Sequence, residues 1–242
     1  MHQGPHILHH DDDIAIVDKP GGLIVHSNKY ARREPNLINT VGGMLQRRVY
    51  SVHRLDRGTS GLMVFALTKD AAGVLSAQFR GREVEKRYLA AVRGHPDDTG
   101  TVDKPLRHGD DVEGRAATTH FRTLARGEVN AAIGPYETAW VALVELTLVT
   151  GRSHQARRHM QNVNHPVIGD QRHGDRAYNR YLWEHLDGER HLLLRALELR
   201  FIHPRSGAGV TAYAGIPAIW QRALSVLELP LPPFLPHHPH VE

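Results

Sequence analysis

The chain of 242 residues contains no cysteine. That absence excludes disulfides, thiolate zinc sites and a cysteine nucleophile, and it fits a reducing, cytoplasmic setting. No stretch approaches the roughly 20 consecutive apolar residues that a membrane-spanning helix needs, so no membrane partner is expected. The opening Met1-His2-Gln3-Gly4-Pro5 lacks the charged and apolar regions of a signal peptide. No internal repeat recurs at a fixed period. Lysine is scarce: five of the 30 basic residues are lysine and the rest arginine. What is present is a 40% apolar composition, enough to bury one substantial core in one domain or a closely fused pair. The net charge of +4 and a pI near 9.5 suit a nucleic-acid partner. Guanidinium groups bind phosphate in a planar, bidentate way, although heavy arginine use also arises as a coding bias.

Residues 1–11 are polar and histidine-rich and are expected to be disordered. His9-His10-Asp11-Asp12-Asp13 offers metal-ligand types, but adjacent ligands without a closing partner do not make a site. Ile14-Ala15-Ile16-Val17 reads as the first core strand and Pro20-Gly21-Gly22 as its turn. Residues 27–35 read as a polar loop rich in Arg and Lys. A helix is expected around 37–46, a buried strand over 63–67, and a helix capped by Asp70 that runs to about Arg80. Val74, Leu75 and Phe79 form its apolar face and Gly81 ends it. Further strands are expected over 85–92, 118–124, 138–149, 191–201 and 210–214. The stretch 99–113 reads as turns. Ser153 is expected to cap a helix over about 154–163, 165–181 to be an extended loop, and 218–227 the last helix. His154 and His159, five apart, share no helix face suited to zinc and read as ordinary polar residues. Strands joined by long mixed connections with few helices indicate an α+β fold around a mostly antiparallel, mixed sheet. The expected catalytic domain covers 12–229, and the tail 230–242, rich in Pro and His, reads as irregular.

One stretch organises the rest: His53-Arg54-Leu55-Asp56-Arg57-Gly58-Thr59-Ser60-Gly61-Leu62. An acid sits between two arginines, a Gly/Thr/Ser/Gly turn follows, and the apolar run 63–67 comes next. This holds one carboxylate at a loop beside a rigid strand, where catalytic residues concentrate. Flanking guanidiniums would keep Asp56 ionised at neutral pH. From spacing alone, a surface Asp–Arg cluster explains the pattern equally well.

The stretch resembles the H-R-L-D-x-x-T-S-G-L signature of the RluA-type RNA pseudouridine synthases. Other parts match in the same order. Lys19-Pro20-Gly21-Gly22-Leu23-Ile24-Val25-His26 resembles the opening K-P-x-G-x-x-V-H, and Lys86-Arg87-Tyr88-Leu89-Ala90 resembles K-x-Y-x-A. Thr150-Gly151-Arg152-Ser153-His154-Gln155-Ala156-Arg157 followed by His165-Pro166-Val167-Ile168-Gly169-Asp170 resembles T-G-R-x-H-Q-x-R and H-P-x-x-G-D. The resemblance spans about residues 12 to 215. Three positions depart from it: Ala156 where Leu or Ile is usual, Asn164 where Gly is common, and Arg195 where His is usual. Within the family, His173-Gly174-Asp175-Arg176 and Asn179-Arg180 look most like the tRNA pseudouridine synthase C branch.

The resemblance implies one pseudouridine synthase catalytic domain that isomerises a uridine of structured RNA to pseudouridine. By the same branch, tRNA is the expected substrate over ribosomal RNA, in the acceptor–T-arm region, with uridine 65 as the candidate. It implies Asp56 as the catalytic carboxylate, Arg157 as its ion-pair partner, and Tyr88 as the residue stacking on the base. It places Arg54 in the stack vacated by the flipped base, and RNA contacts on Arg57, Arg152, His154, Arg158, Arg172, Arg176 and Arg180. The reaction adds no group and changes no oxidation state, so neither cofactor nor metal is implied, nor is an obligate protein partner. Two rivals stand beside this reading. A metal-dependent hydrolase would use the Gly169-Asp170…His173-Gly174-Asp175 cluster, which has no established ligand spacing. A non-catalytic RNA-binding protein of the same fold would not need Asp56, Tyr88 and Arg157 together. With some dozen residues before the first strand, a separate RNA-binding module has no room, so the catalytic domain itself is expected to select the RNA.

Overall fold

The structure is a computed structural model that describes residues 4–27, 34–107, 113–135 and 137–242. In chain order these form β1 (His6–His10), β2 (Ile14–Lys19), α1 (Leu37–Leu45), β3 (Tyr50–Ser51), β4 (Ser60–Ala66) and α2 (Lys69–Gly81). There follow β5 (Glu85–Arg93), β6 (Thr99–Asp103), β7 (Thr118–Val129), β8 (Ala139–Leu148), α3 (Gln155–Asn162) and α4 (Arg176–Glu184). Last come β9 (Leu194–Ile202), β10 (Gly209–Tyr213), α5 (Ala218–Val226) and β11 (His240–Val241). Two compact units make up the chain. The first holds Met1–Lys86, Arg195–Gly215 and His238–Glu242, and the second holds Arg87–Leu194 and Ile216–His237.

In the first unit, β2 lies antiparallel between β1 and β4. The start of β4 meets β9 in parallel, at Ser60↔Arg195 and Gly61↔Ala196, and its end meets β3. β10 joins β9 to β11, both antiparallel. β4 is buried along its whole length, which is why it reads as an unbroken apolar run. Its core joins Ile14, Ile16, Leu62 and Val64 to Ala71 and Leu75 of α2 and to Leu199 and Phe201 of β9. Each of the Ile, Leu, Val and Phe side chains contributes roughly 1.5–3 kcal/mol by leaving water. Gly61 is required by the crossing to β9, because a Cβ there would lie 2.1 Å from the Ala196 carbonyl oxygen. In the second unit, β6, β7 and β8 pair antiparallel in succession, and β5 lies beside β8, also antiparallel. α3 packs on it through Ala156 and Met160 against Ala90, Val92, Ala142, Val144 and Leu146. The class is therefore the expected α+β, with a mostly antiparallel mixed sheet.

Several local expectations are corrected. Residues 6–10, expected to be disordered, form β1, because backbone pairing with β2 needs no apolar side chains. The 230–242 tail, expected to be irregular, ends in β11. Thr68, not Asp70, caps α2 by accepting from the Ala71 amide at 3.1 Å, and Asp70 lies in the first turn. Val74 is 44% exposed, and the buried face is Ala71, Leu75 and Gln78. Part of 99–113 is β6 rather than turns, while 108–112 lie outside the described residues, as do 28–33 of the expected 27–35 loop. Ser153 does not cap α3. His154 precedes that helix with φ 54° and no side-chain cap, and the Arg152 amide instead donates to Gln155 Oε1 at 3.0 Å. The expected loop 165–181 holds the start of α4. Asp175 Oδ1 accepts from the Ala177 amide at 2.8 Å, and Tyr178 and Leu182, one turn apart, are buried.

The acids near the first turn also have closing partners. His203 Nε2 meets Asp11 Oδ2 at 2.9 Å, and Arg205 donates from Nε and Nη2 to the Asp13 carboxylate. Asp11, Asp13 and His203 offer metal-ligand atoms within 4.8 Å of one another. A guanidinium already neutralises Asp13, so these residues act as a clasp between the β1–β2 and β9–β10 turns.

Candidate active site

The Asp56 loop belongs to the first unit and runs from β3 into β4. It rests on the turn after β2. A Cβ on Gly21 would lie 3.2 Å from the Gly58 carbonyl oxygen, and the Gly22 amide donates to the Arg57 carbonyl at 2.8 Å. Gly22 has φ 87°, a left-handed conformation that suits glycine. Under both turns lies Lys19, which is fully buried. Its Nζ donates to the carbonyls of Pro20 and Leu23, each at 2.9 Å, and of Arg57 at 3.2 Å. Burial lowers the Lys19 pKa to about 7, against the pull of the Asp56 and Asp18 carboxylates. An ammonium site thus lies within electrostatic reach of Asp56, which is itself half-buried.

His53 anchors the loop from the other end. Its Nε2 accepts from the Val64 amide at 3.0 Å, and its ring stacks on Phe79 with centroids 4.4 Å apart. Burial, helped by the charge of Lys86, lowers its pKa to about 3. Arg54 is exposed, and its charge adds to the burial that depresses His26. Arg57 turns to the Gly22 carbonyl at 3.0 Å and pairs with Glu34 at 2.8 Å. Arg195, one of the three departures from the family pattern, is buried and donates to the Gly215 carbonyl at 2.9 Å and to Asp18 at 2.6 Å.

The second unit carries Tyr88 and Arg157. Tyr88 lies on β5 opposite Leu146, half-buried against the same cluster as Ala156 and Met160 of α3. Arg157 is 8% exposed and meets Asp170 as a two-pronged pair, Nε to Oδ2 at 2.6 Å and Nη2 to Oδ1 at 2.7 Å. Asp170 also accepts from the Arg172 and His173 amides. These donors hold its carboxyl below the usual range against the opposing effect of burial. His154 Nδ1 lies 3.0 Å from His173 Nε2, with the rings edge to face. Burial pushes His173 below its ordinary pKa.

The glutamine of this motif, Gln155, and His159 one helical turn later are structural. Gln155 accepts from the Thr150 hydroxyl at 2.6 Å and donates to the Thr118 carbonyl and to Thr119 Oγ1. His159, expected to be an ordinary polar residue, is fully buried between Thr119 Oγ1 and the Lys104 carbonyl. Asn164 has φ 64°, which explains a position shared by Gly and Asn. Arg152 donates to the Ala116 carbonyl and Arg158 to that of Arg107, while Arg172, Arg176 and Arg180 are exposed. Reading the sequence for site residues missed Lys19 and Asp170. Both had a signal, Lys19 its place in the K-P-G-G turn and Asp170 its place in H-P-x-x-G-D, but nothing in the sequence pairs Asp170 with Arg157, 13 residues away.

The model of the RNA pseudouridylate synthase family matches residues 13–162. The chain belongs to this family. It is thus an enzyme that acts on RNA, an isomerase of the RluA type. Among curated relatives, tRNA pseudouridine synthase C of Pectobacterium carotovorum is 41% identical over 89% of this chain, which spans 60% of that relative's length. The Vibrio cholerae protein of the same name is 37% identical over 90% of this chain and 94% of its own. Among solved structures, human RNA pseudouridylate synthase domain containing 4 superposes with a TM-score of 0.70 at 26% identity, covering 93% of this chain and 94% of that one. No helix among the described residues is long and apolar enough to cross a membrane.

Proposed function

We propose that this enzyme converts one uridine in the acceptor–T-arm region of tRNA, with uridine 65 as the candidate, to pseudouridine in the cytoplasm. The observation that carries the substrate is the shared name of its curated relatives, tRNA pseudouridine synthase C, at 37–41% identity over about nine-tenths of the chain. Asp56 is the carboxylate that takes up or stabilises the sugar centre when the N1–C1′ bond breaks. Arg157 is its ion-pair partner and Tyr88 stacks on the base, which turns so that C5 joins C1′, the C5 proton leaving to a base and N1 taking up a proton. The base must leave its stack at a cost of a few kcal/mol. Arg54, exposed at the loop, fills the gap. Arg172, Arg176 and Arg180 meet phosphates, with Arg57, Arg152, His154 and Arg158 as further contacts. The proposed carboxylate and guanidinium are each supported by buried groups, Lys19 beneath the one and Asp170 beside the other.

The test is substrate choice. Purified enzyme is incubated with unmodified tRNA transcripts and with protein-free ribosomal RNA fragments, and pseudouridine is mapped at each uridine. Modification of one uridine in the acceptor–T-arm region is expected. Equal kcat/KM on a ribosomal fragment with no tRNA product would overturn the tRNA reading and leave the reaction class in place.

A further inference from the structure

The segment that marks the C branch does more than present arginines. Asn179 of α4 is 3% exposed and reaches back to the Gly169–Asp170 turn. Its Oδ1 accepts from the Gly169 amide at 2.6 Å, and its Nδ2 donates to the Asp170 carbonyl at 2.8 Å. One carboxamide thus satisfies a buried donor and a buried acceptor, which neither a carboxylate nor an apolar side chain can do.

The turn is gripped on its other sides too. A Cβ on Gly169, whose φ is 84°, would lie 1.8 Å from the His191 carbonyl oxygen. A Cβ on Gly174 would lie 2.3 Å from the Asp170 carbonyl oxygen and 3.1 Å from Asn179 Nδ2. α4 is held in turn at its start, where Arg93 pairs with the capping Asp175 at 2.7 Å. Asp170, 1% exposed, then matches two nitrogens of the Arg157 fork. A planar guanidinium held on one edge by a fixed carboxylate has its own plane fixed.

We propose that Asn179 is a positioning residue for Arg157, acting through Asp170. This rests on the reading of Arg157 as part of the site. In wild-type enzyme the turn carries the Asp170 carboxylate in one orientation. Without the Asn179 side chain the Gly169 amide loses its buried partner, the turn relaxes, and Arg157 follows its carboxylate. Misplacement of a catalytic contact by about 1 Å is enough to slow chemistry by up to about 10²-fold.

The experiment is a double-mutant cycle in single-turnover rate at saturating tRNA, with RNA Kd measured alongside, for Asn179→Ala, Asp170→Asn and the double variant. Asn179→Ala is expected to slow the rate about tenfold or more with Kd within about threefold of wild type. In the Asp170→Asn background the same substitution is expected to change the rate less than about twofold, because the path it acts through is already cut. Additive effects, or a wild-type rate in folded Asn179→Ala, would overturn the inference. Should Asn179→Ala fail to fold, Asn179→Asp keeps the acceptor for Gly169 and deletes the donor to Asp170. The same non-additivity is expected from it, and additivity counts against the inference equally. Arg157→Ala separates the two levels. A wild-type rate there removes Arg157 from the site and this inference with it, whereas loss of activity there beside an unaffected Asn179 variant overturns this inference alone.

Discussion

The Asp56 loop and the Arg157 helix hold their charged groups by opposite means. Asp56 sits on a loop whose shape is set mainly by backbone: glycines that let two turns touch, and one buried ammonium that collects three carbonyls. Arg157 sits on a helix, and its guanidinium is set by side chains, with Asp170 on the fork and Asn179 behind Asp170. The backbone-built support joins two short turns, at 19–23 and 57–58, that lie 38 residues apart at the Lys19–Arg57 bond, and it tolerates little change at its glycines. The side-chain-built support falls within residues 157–179 and depends on individual side chains that meet across successive turns of chain.

Predictions follow the contrast in order of size. Asp56→Ala should leave the fold intact, since a half-buried loop acid adds little to the core, and should lower turnover by about 10⁴-fold or more. Pseudouridine formation by the folded variant at near wild-type rate would remove the loop from the comparison altogether. Arg157→Lys keeps the charge but cannot match the Asp170 carboxylate with two parallel bonds, so kcat should fall about 10²-fold while the RNA Kd moves little. An equal loss in binding and in kcat would show that this guanidinium holds RNA rather than the reacting group.

Lys19→Met keeps the volume and removes the three hydrogen bonds to Pro20, Leu23 and Arg57. Part of that loss is offset by relief of a buried charge, so a net destabilisation of about 1–3 kcal/mol is expected in urea denaturation. No change in stability would mean that the glycines alone shape the loop. The smallest effect concerns His53. Its folded pKa of about 3 lies below the ordinary 6.5, so the unfolded chain takes up a proton first as pH falls. The stability it contributes is complete above pH 6.5 and is lost as pH drops from 6.5 through 3. Its ring signals in an NMR titration should therefore stay at their neutral positions between pH 8 and 5. A midpoint near 6.5 would show that the loop opens to solvent.

Much of this was legible in order along the chain. The apolar run of β4 announced a buried strand, and the motif around Asp56 named the family before any coordinate did. Cap positions were less legible. Asp70 and Thr68 are both competent N-caps, and in the folded chain it is Thr68 that is extended and accepts from the Ala71 amide. α4 was missed because its buried face rests on few residues, Tyr178, Asn179 and Leu182, too sparse a pattern to outweigh the polar residues around it.

By itself, then, the sequence determined the family, the α+β class and the candidate catalytic residues, because each is carried by a pattern of neighbouring residues. The tertiary structure alone decided that Lys19 lies buried under the Asp56 loop, that His159 is a core residue, and that Asp170 and Asn179 stand behind Arg157. Those are properties of buried polar groups, which must find partners wherever the folded chain brings a donor to an acceptor. Sequence separation carries no record of which partner that will be.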